Sequence, residues 1–315
     1  MTDLDHPTLS GEPVNRDSSP ASFVERRNIN PMIFGFAVLG AVFVLYQIGG
    51  GVVNFLISGG AVTRANVGPQ RLLTMVSQIL LILLPTLVGA RLFSTNLRKV
   101  FPVRAPTVGE LGFALLALFA LQRVMEIYIF FQDMIPLPES IQQILGPLKE
   151  MFRGLVKTLV TAESIPELLF VMLVVAAVPA VVEELLFRGL VQRTFERVMS
   201  GTVAAVFAGT IFGLYHLNPM ELVPLMALGV FFGLLRYRSR SLSVPILAHF
   251  MNNAMAVFAV YLGMGNDTSP MFSQAAPTIG AMAFQLVVFG GLFVTFFMAY
   301  WRSTDRIPLR EGWEQ

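Results

Sequence analysis

Apolar runs of about 20 residues recur along the chain, and this one pattern leaves few folds open. In lipid a run of that length must satisfy its own backbone hydrogen bonds, which makes each run a helix. We read eight such spans, at roughly 31–58, 71–93, 108–132, 165–187, 201–217, 221–236, 243–263 and 277–301. The expected fold class is an all-α polytopic transmembrane bundle of about eight spans, with an additional amphipathic surface helix. Charged residues make up 13% of the 315, where about a quarter is usual for a soluble domain. An ordinary soluble enzyme, a disordered chain and a nucleic-acid module are thereby excluded. There is no cysteine, which removes disulfides, thiolate nucleophiles and Cys-ligated metal.

The net charge is +2 and the pI near 9.1, yet the positive charges lie between apolar spans. That is a topology signal. With the N-terminus inside, inner segments hold sixteen of the 22 Lys and Arg, outer segments five, and Arg123 falls within span three. Both termini are therefore expected in the cytosol, and the Arg-rich inner loops suit a bacterial plasma membrane.

The expected organisation is a disordered tail over 1–30, spans one to three over 31–137, an interfacial helix over 138–160, core spans four to seven over 161–263, a last span over 264–301 and a tail over 302–315. The polar N-terminal segment has no hydrophobic period. No small-residue cleavage site ends the first apolar run, so it reads as a retained helix. In 138–160, Ile141, Ile144, Leu145, Leu148, Phe152, Leu155 and Leu159 recur at helical spacing beside a basic ridge of Lys149, Arg153 and Lys157. That pattern predicts a helix lying on the outer surface, kinked at Gly146-Pro147.

An ionisable residue at membrane depth costs about 2.5–3.5 kcal/mol even on insertion scales, so each needs a reason. Arg123 and Glu126 are three residues apart and suit a structural pair. Glu183 and Glu184 are adjacent and point about 100° apart on a helix. Glu184 and Arg188 stand at i,i+4 with the acid first, the favourable order for an ion pair. Glu183 is then the carboxylate without a built-in partner, and a desolvated carboxylate makes a better base once ionised. Of the three histidines, His6 lies in the tail, and His216 and His249 fall at membrane depth. His249 and Asn253 share a helix face and are suited to donating hydrogen bonds to an oxyanion. Interhelical hydrogen bonding is the plainer use for Asn252. Asn218-Pro219 breaks the chain directly after His216.

Helix arithmetic tests whether these groups meet. From Glu183 to Arg197 is 14 residues, and from Gly201 back to His216 is 15, about 21 and 22 Å of helix. Glu183 and His216 thus return to similar depth, where the pair is suited to holding and deprotonating a water. His249 is nine residues past Arg240, about 14 Å, and falls short by several ångströms unless tilt or a deeper turn compensates.

Three fragments carry a resemblance: Glu183-Glu184-Leu185-Leu186-Phe187-Arg188, Phe212-Gly213-Leu214-Tyr215-His216 and His249-Phe250-Met251-Asn252-Asn253. Read as E-E-x-x-x-R, F-x-x-x-H and H-x-x-x-N in that order on apolar spans, they resemble the CPBP family, the CAAX prenyl endopeptidases and bacteriocin-processing enzymes also called Abi proteins. The resemblance covers about 165–263. It implies a glutamate-dependent intramembrane endopeptidase that needs no cofactor. By position Glu183 would be the general base, His216 would orient the water, and His249 with Asn253 would form the oxyanion site. Glu184 with Arg188 would hold the motif helix, and Phe212 would pack beside the site. The implied partners are the bilayer and a membrane-associated protein or peptide substrate, with no nucleic acid.

Other readings are weighed against it. Glu183, His216 and His249 also make a His2Glu set of the kind zinc accepts. Against zinc, there is no H-E-x-x-H and no evident further carboxylate to support the histidines from behind. No G-x-S-x-G indicates a serine nucleophile, and spans four to seven hold no pair of Asp. A non-enzymatic scaffold or bacteriocin-immunity protein is the main functional alternative. A transporter is disfavoured because no inverted repeat of broken spans is visible.

Overall fold

The computed structural model describes residues 20–59, 62–263 and 278–305. His6, the whole of the expected connection over 264–276, Arg306 and Arg310 lie outside them. Every regular element among the described residues is a helix. We number them α1 (Phe23–Arg26), α2 (Pro31–Ile57), α3 (Val67–Phe93), α4 (Leu97–Val100), α5 (Val108–Asp133), α6 (Glu139–Val160), α7 (Ile165–Phe195), α8 (Gly201–Tyr215), α9 (Leu222–Ser239), α10 (Ser243–Tyr261) and α11 (Ile279–Ser303). Seven of these (α2, α3, α5, α7, α9, α10 and α11) are long and apolar enough to cross a membrane. The chain forms an all-α polytopic bundle of an integral membrane protein.

The helix starts follow from local chemistry. Asn30 caps α2, whose first residue is Pro31. Thr107 and Glu110 form a capping box on α5, and Ser164 and Thr278 cap α7 and α11. The expected tail over 1–30 is corrected at its end. Ser22 and Glu25 form a capping box on α1, and Val24 is buried against Phe34, Phe93 and Leu190. A short polar stretch orders here because one apolar residue reaches the bundle. The amphipathic segment over 138–160 is a continuous helix, α6, and runs through Pro147.

The eighth apolar helix, α8, has 15 residues, a rise of about 22 Å against a hydrocarbon thickness of about 30 Å. It stops at His216, and Leu217 turns the chain with φ +52°, a left-handed conformation that costs a branched side chain about 1–2 kcal/mol. The fifth span expected over 201–217 is thus a short helix that ends on the site.

Packing explains why α8 stays in place. Gly209 on α8 meets Gly229 on α9, while Gly213 of α8 lies against Met226 and Gly233 of α9 against the Ala205 backbone. A Cβ on Gly209 would lie 2.3 Å from the backbone nitrogen of Val230, and one on Gly229 would lie 2.2 Å from the Gly209 carbonyl oxygen. Both helices carry G-x-x-x-G, the small-residue pattern that lets backbones touch in lipid. Two apolar clusters flank this contact. One gathers Leu186, Phe187, Phe195 and Phe212 with α2 and α3, and the other gathers Leu118, Phe231, Phe232 and Ala248 with Tyr300 of α11.

Polar ties close the two ends. At one end Arg71, almost fully buried, donates to the Leu159 and Thr161 carbonyls and to Glu167 at 2.7 Å, fastening α3 to the end of α6 and the start of α7. Arg64 reaches Glu167 and Glu163 from the preceding loop, and these carboxylates raise its pKa. At the other end Arg236 pairs with Glu196, Arg104 with Glu110 and Arg238 with Asp305. Arg123 pairs with Glu126 as its spacing suggests, and also donates to Gln285 of α11 at 2.7 Å.

Candidate active site

The site forms where α7, α8 and α10 meet at the seam between the two clusters. Glu183 lies on α7 two residues before a wider, π-helical stretch, Leu185–Val191. Such distortions are frequent at functional sites. The Glu183 carboxylate stands between two imidazoles. Its Oε2 is 3.9 Å from His216 Nε2 and 4.0 Å from His249 Nε2. These gaps exceed a direct hydrogen bond. Glu183 and His216 line a cavity of about 190 Å3 with Tyr46, Gln47, Phe187 and Tyr215.

Each histidine is held from behind. His216 Nδ1 lies 2.8 Å from the Phe212 carbonyl, which can only accept, so Nδ1 carries a hydrogen. His249 Nδ1 lies 2.9 Å from Glu184 Oε1, an oxygen that also accepts from Arg188 Nη1 at 2.8 Å. Here too Nδ1 is the donor. Both Nε2 atoms therefore point toward Glu183, as lone pairs in the neutral rings and as N–H donors in the imidazolium forms. The second role of Glu184 corrects the sequence reading, which found no carboxylate to support a histidine. Its signal was present: the second glutamate of the pair projects onto a different face of α7.

Arg188 is completely buried and keyed into the glycine contact, since its Nη2 donates to the Gly229 carbonyl at 2.8 Å. Its guanidinium carbon sits 4.5 Å from the Phe212 ring centre and 5.5 Å from that of Phe232. Phe212 touches nearly everything: its ring centre is 4.6 Å from that of His216 and 5.9 Å from that of His249. Phe232 stacks on His249 at 5.0 Å. One turn away, Asn253 Nδ2 donates to the Val175 carbonyl at 3.1 Å, and its Oδ1 accepts from Asn252 at 3.0 Å. Gln122 of α5 donates to Asn252 at 3.0 Å, so these amides link α5, α10 and α7. Asn253 keeps one amide hydrogen for another partner.

The shortfall expected for His249 is absent. The turn before α10 lies inside the protein: Ser239, Ser241 and Leu242 are buried, and the Leu242 N–H donates to the Pro102 carbonyl at 2.8 Å. A turn set that deep starts α10 further into the bundle and brings His249 level with Glu183.

Glu183, His216 and His249 were also weighed as a zinc set. Among the described residues no three His, Cys, Asp or Glu are grouped closely enough to hold a metal ion. No chemistry is derived through a metal here.

The geometry and the three motifs lie in one contiguous stretch of chain, and the comparison with known families falls on it. Residues 165–255 match the family model described as type II CAAX prenyl endopeptidase Rce1-like. No curated protein and no solved structure matches the chain. The Rce1-like segment is less than a third of the chain, yet it runs from the start of α7 into α10 and holds every residue of the three motifs. It agrees with the resemblance to the CPBP family and implies a CAAX-type intramembrane protease. Helices α2, α3, α5, α6 and α11 lie outside it.

Proposed function

We propose that this chain is an intramembrane endopeptidase in which Glu183 activates a water to cleave a peptide bond of a membrane-associated protein or peptide. The observation that carries the reading is the Glu183 carboxylate standing about 4 Å from two inward-facing imidazole Nε2 atoms beside a small cavity. Gaps of that length suit a bridging water. In this mechanism neutral His216 accepts a hydrogen from the water through Nε2, while Glu183 takes the other proton as the water oxygen bonds to the carbonyl carbon. The proton then passes to the amide nitrogen, and the C–N bond breaks to release an acid and an amine.

The charge that develops on the carbonyl oxygen needs donors. Asn253 offers its remaining amide hydrogen. His249 spends Nδ1–H on Glu184 and turns Nε2 toward the site, so an oxyanion contact from this ring runs through Nε2–H. Glu184 is thus assigned two duties, holding Arg188 and orienting His249. No metal or other cofactor takes part in this scheme. The charge distribution supports a bacterial plasma membrane with both termini in the cytosol.

The test is terminomics of the membrane fraction from cells carrying the wild-type chain or Glu183→Gln at matched levels. New termini only with wild type would support the protease and reveal its substrates. Identical termini, with any phenotype retained by the variant, would shift the reading to a scaffold.

A further inference from the structure

The cavity at Glu183 continues away from the catalytic groups. Tyr46 and Gln47, which line it, also line a second cavity of about 400 Å3 between α2 and α3. Leu155 and Leu159 of α6 line the far side of this groove. Gln47 ties the two spaces together, since its Nε2 donates to the carbonyl of Tyr215 at 2.8 Å, one residue before His216. None of these lining elements lies in the Rce1-like segment except at the catalytic end.

The chemistry of the groove is specific in three ways. The residues lining it carry no charge. Gln70 of α3 is 2% exposed, and its Oε1 has no hydrogen-bond partner among the described residues. A buried amide oxygen left unpaired costs about 1–3 kcal/mol, so it calls for an N–H donor. Thr74 adds to this, because its hydroxyl hydrogen is given to the Gln70 carbonyl at 2.9 Å and its oxygen is left to accept. Finally, a Cβ placed on Gly51 would meet nothing within 4 Å, so the groove is open there.

We propose that this groove binds an extended, uncharged peptide segment of the substrate on its way to Glu183, with Gln70 Oε1 accepting from a substrate backbone N–H. An isoprenoid or acyl chain supplies no donor for Gln70, whereas every peptide unit other than proline supplies one. The inference rests on the protease reading and extends it to substrate class: recognition falls on the polypeptide, and uncharged residues are selected beside the cleaved bond.

The experiment uses the purified full chain in lipid nanodiscs. The probes are an unmodified peptide library from a digested proteome and one cysteine-containing peptide with and without a farnesyl group. Gly51→Phe fills the groove without touching the catalytic residues, Gly40→Ala on the same helix but outside the groove is the control, and Gln70→Leu removes the acceptor. Thermal melting establishes that each variant is folded. The expected result is a fall in kcat/KM on the order of tenfold for Gly51→Phe and Gln70→Leu, carried mainly by KM, with Gly40→Ala like wild type. Cleaved sequences should be depleted in charged residues on one side of the bond. Unchanged cleavage by folded Gly51→Phe and Gln70→Leu, with Glu183→Gln inactive, would overturn the groove and leave the catalytic reading standing. A preference for the farnesylated peptide that Gly51→Phe abolishes would assign the groove to the isoprenoid and overturn the peptide. Absence of any Glu183-dependent cleavage would overturn both readings.

Discussion

His249 and Glu184 are joined by a 2.9 Å hydrogen bond between Nδ1 and Oε1, and the same carboxylate oxygen takes Arg188 at 2.8 Å. One carboxylate thereby sets the orientation of an imidazole and neutralises a buried guanidinium. Glu184→Gln should lower kcat by about a hundredfold with KM within about twofold, because the change acts on charge developing in the transition state. Steady-state kinetics on a cleaved peptide check this. Removing only the acid also leaves Arg188 buried and uncompensated, at about 3–5 kcal/mol. The double change Glu184→Gln with Arg188→Gln should therefore regain thermal stability without regaining turnover.

His216 is held by a backbone carbonyl and is partly exposed to the cavity, so its loss should be mainly catalytic. His216→Ala is expected to reduce turnover about 10²–10⁴-fold with a melting temperature close to wild type. A large drop in melting temperature, with residual activity in proportion to folded protein, would make it a structural residue instead.

The glycine contact between α8 and α9 has no slack. Gly229→Ala puts a methyl 2.2 Å from the Gly209 carbonyl oxygen, a backbone atom that cannot swing aside. We expect Gly209→Ala and Gly229→Ala each to destabilise by on the order of 3 kcal/mol and to lose at least tenfold in activity, because α8 carries His216 and Phe212. Gly40→Ala, where a Cβ meets nothing within 4 Å, is the matched control and should behave as wild type.

Arg71 should separate stability from chemistry. It fastens α3 to α6 and α7 through Leu159, Thr161 and Glu167, and it does not line the cavity at Glu183. Arg71→Ala takes the donor from the Leu159 carbonyl and leaves Thr161 and Glu167 with Arg64 as their remaining arginine partner, and should cost about 3 kcal/mol in thermal melts, while the folded fraction keeps its kcat.

Metal dependence has its own readout. Dialysis against a strong chelator, followed by elemental analysis, should leave both activity and melting temperature unchanged. Zinc at one equivalent per chain, with chelator-sensitive activity that zinc restores, would overturn the metal-independent mechanism.

Much of this arrangement was legible in the sequence, and what was not has physical causes. Apolar runs of membrane length announce helices whatever their neighbours do, and the Glu184–Arg188 spacing specifies a contact inside one helix. Contacts between helices are harder to read. The approach of Glu184 to His249 depends on how deep the turn at Ser239–Leu242 sits, and burial of a turn leaves no periodic trace. A one-dimensional charge census counts Arg71 among the outer five, because it does not distinguish a solvated arginine from a buried one. The paired G-x-x-x-G patterns on α8 and α9 were visible as letters, but only their meeting face to face explains why α8 can be so short.

That meeting also divides the molecule by compliance. On the α8–α9 side, backbone rests on backbone and a guanidinium is keyed into a glycine carbonyl, so a displacement of even a methyl's width meets peptide groups. On the α2–α3 side, Gly51 faces open space and the walls are side chains that rotate. On the protease reading, the α8–α9 side would hold its shape as a fixed jaw when a polypeptide enters, and the movement that admits the chain would fall to α2, α3 and the helix lying across them.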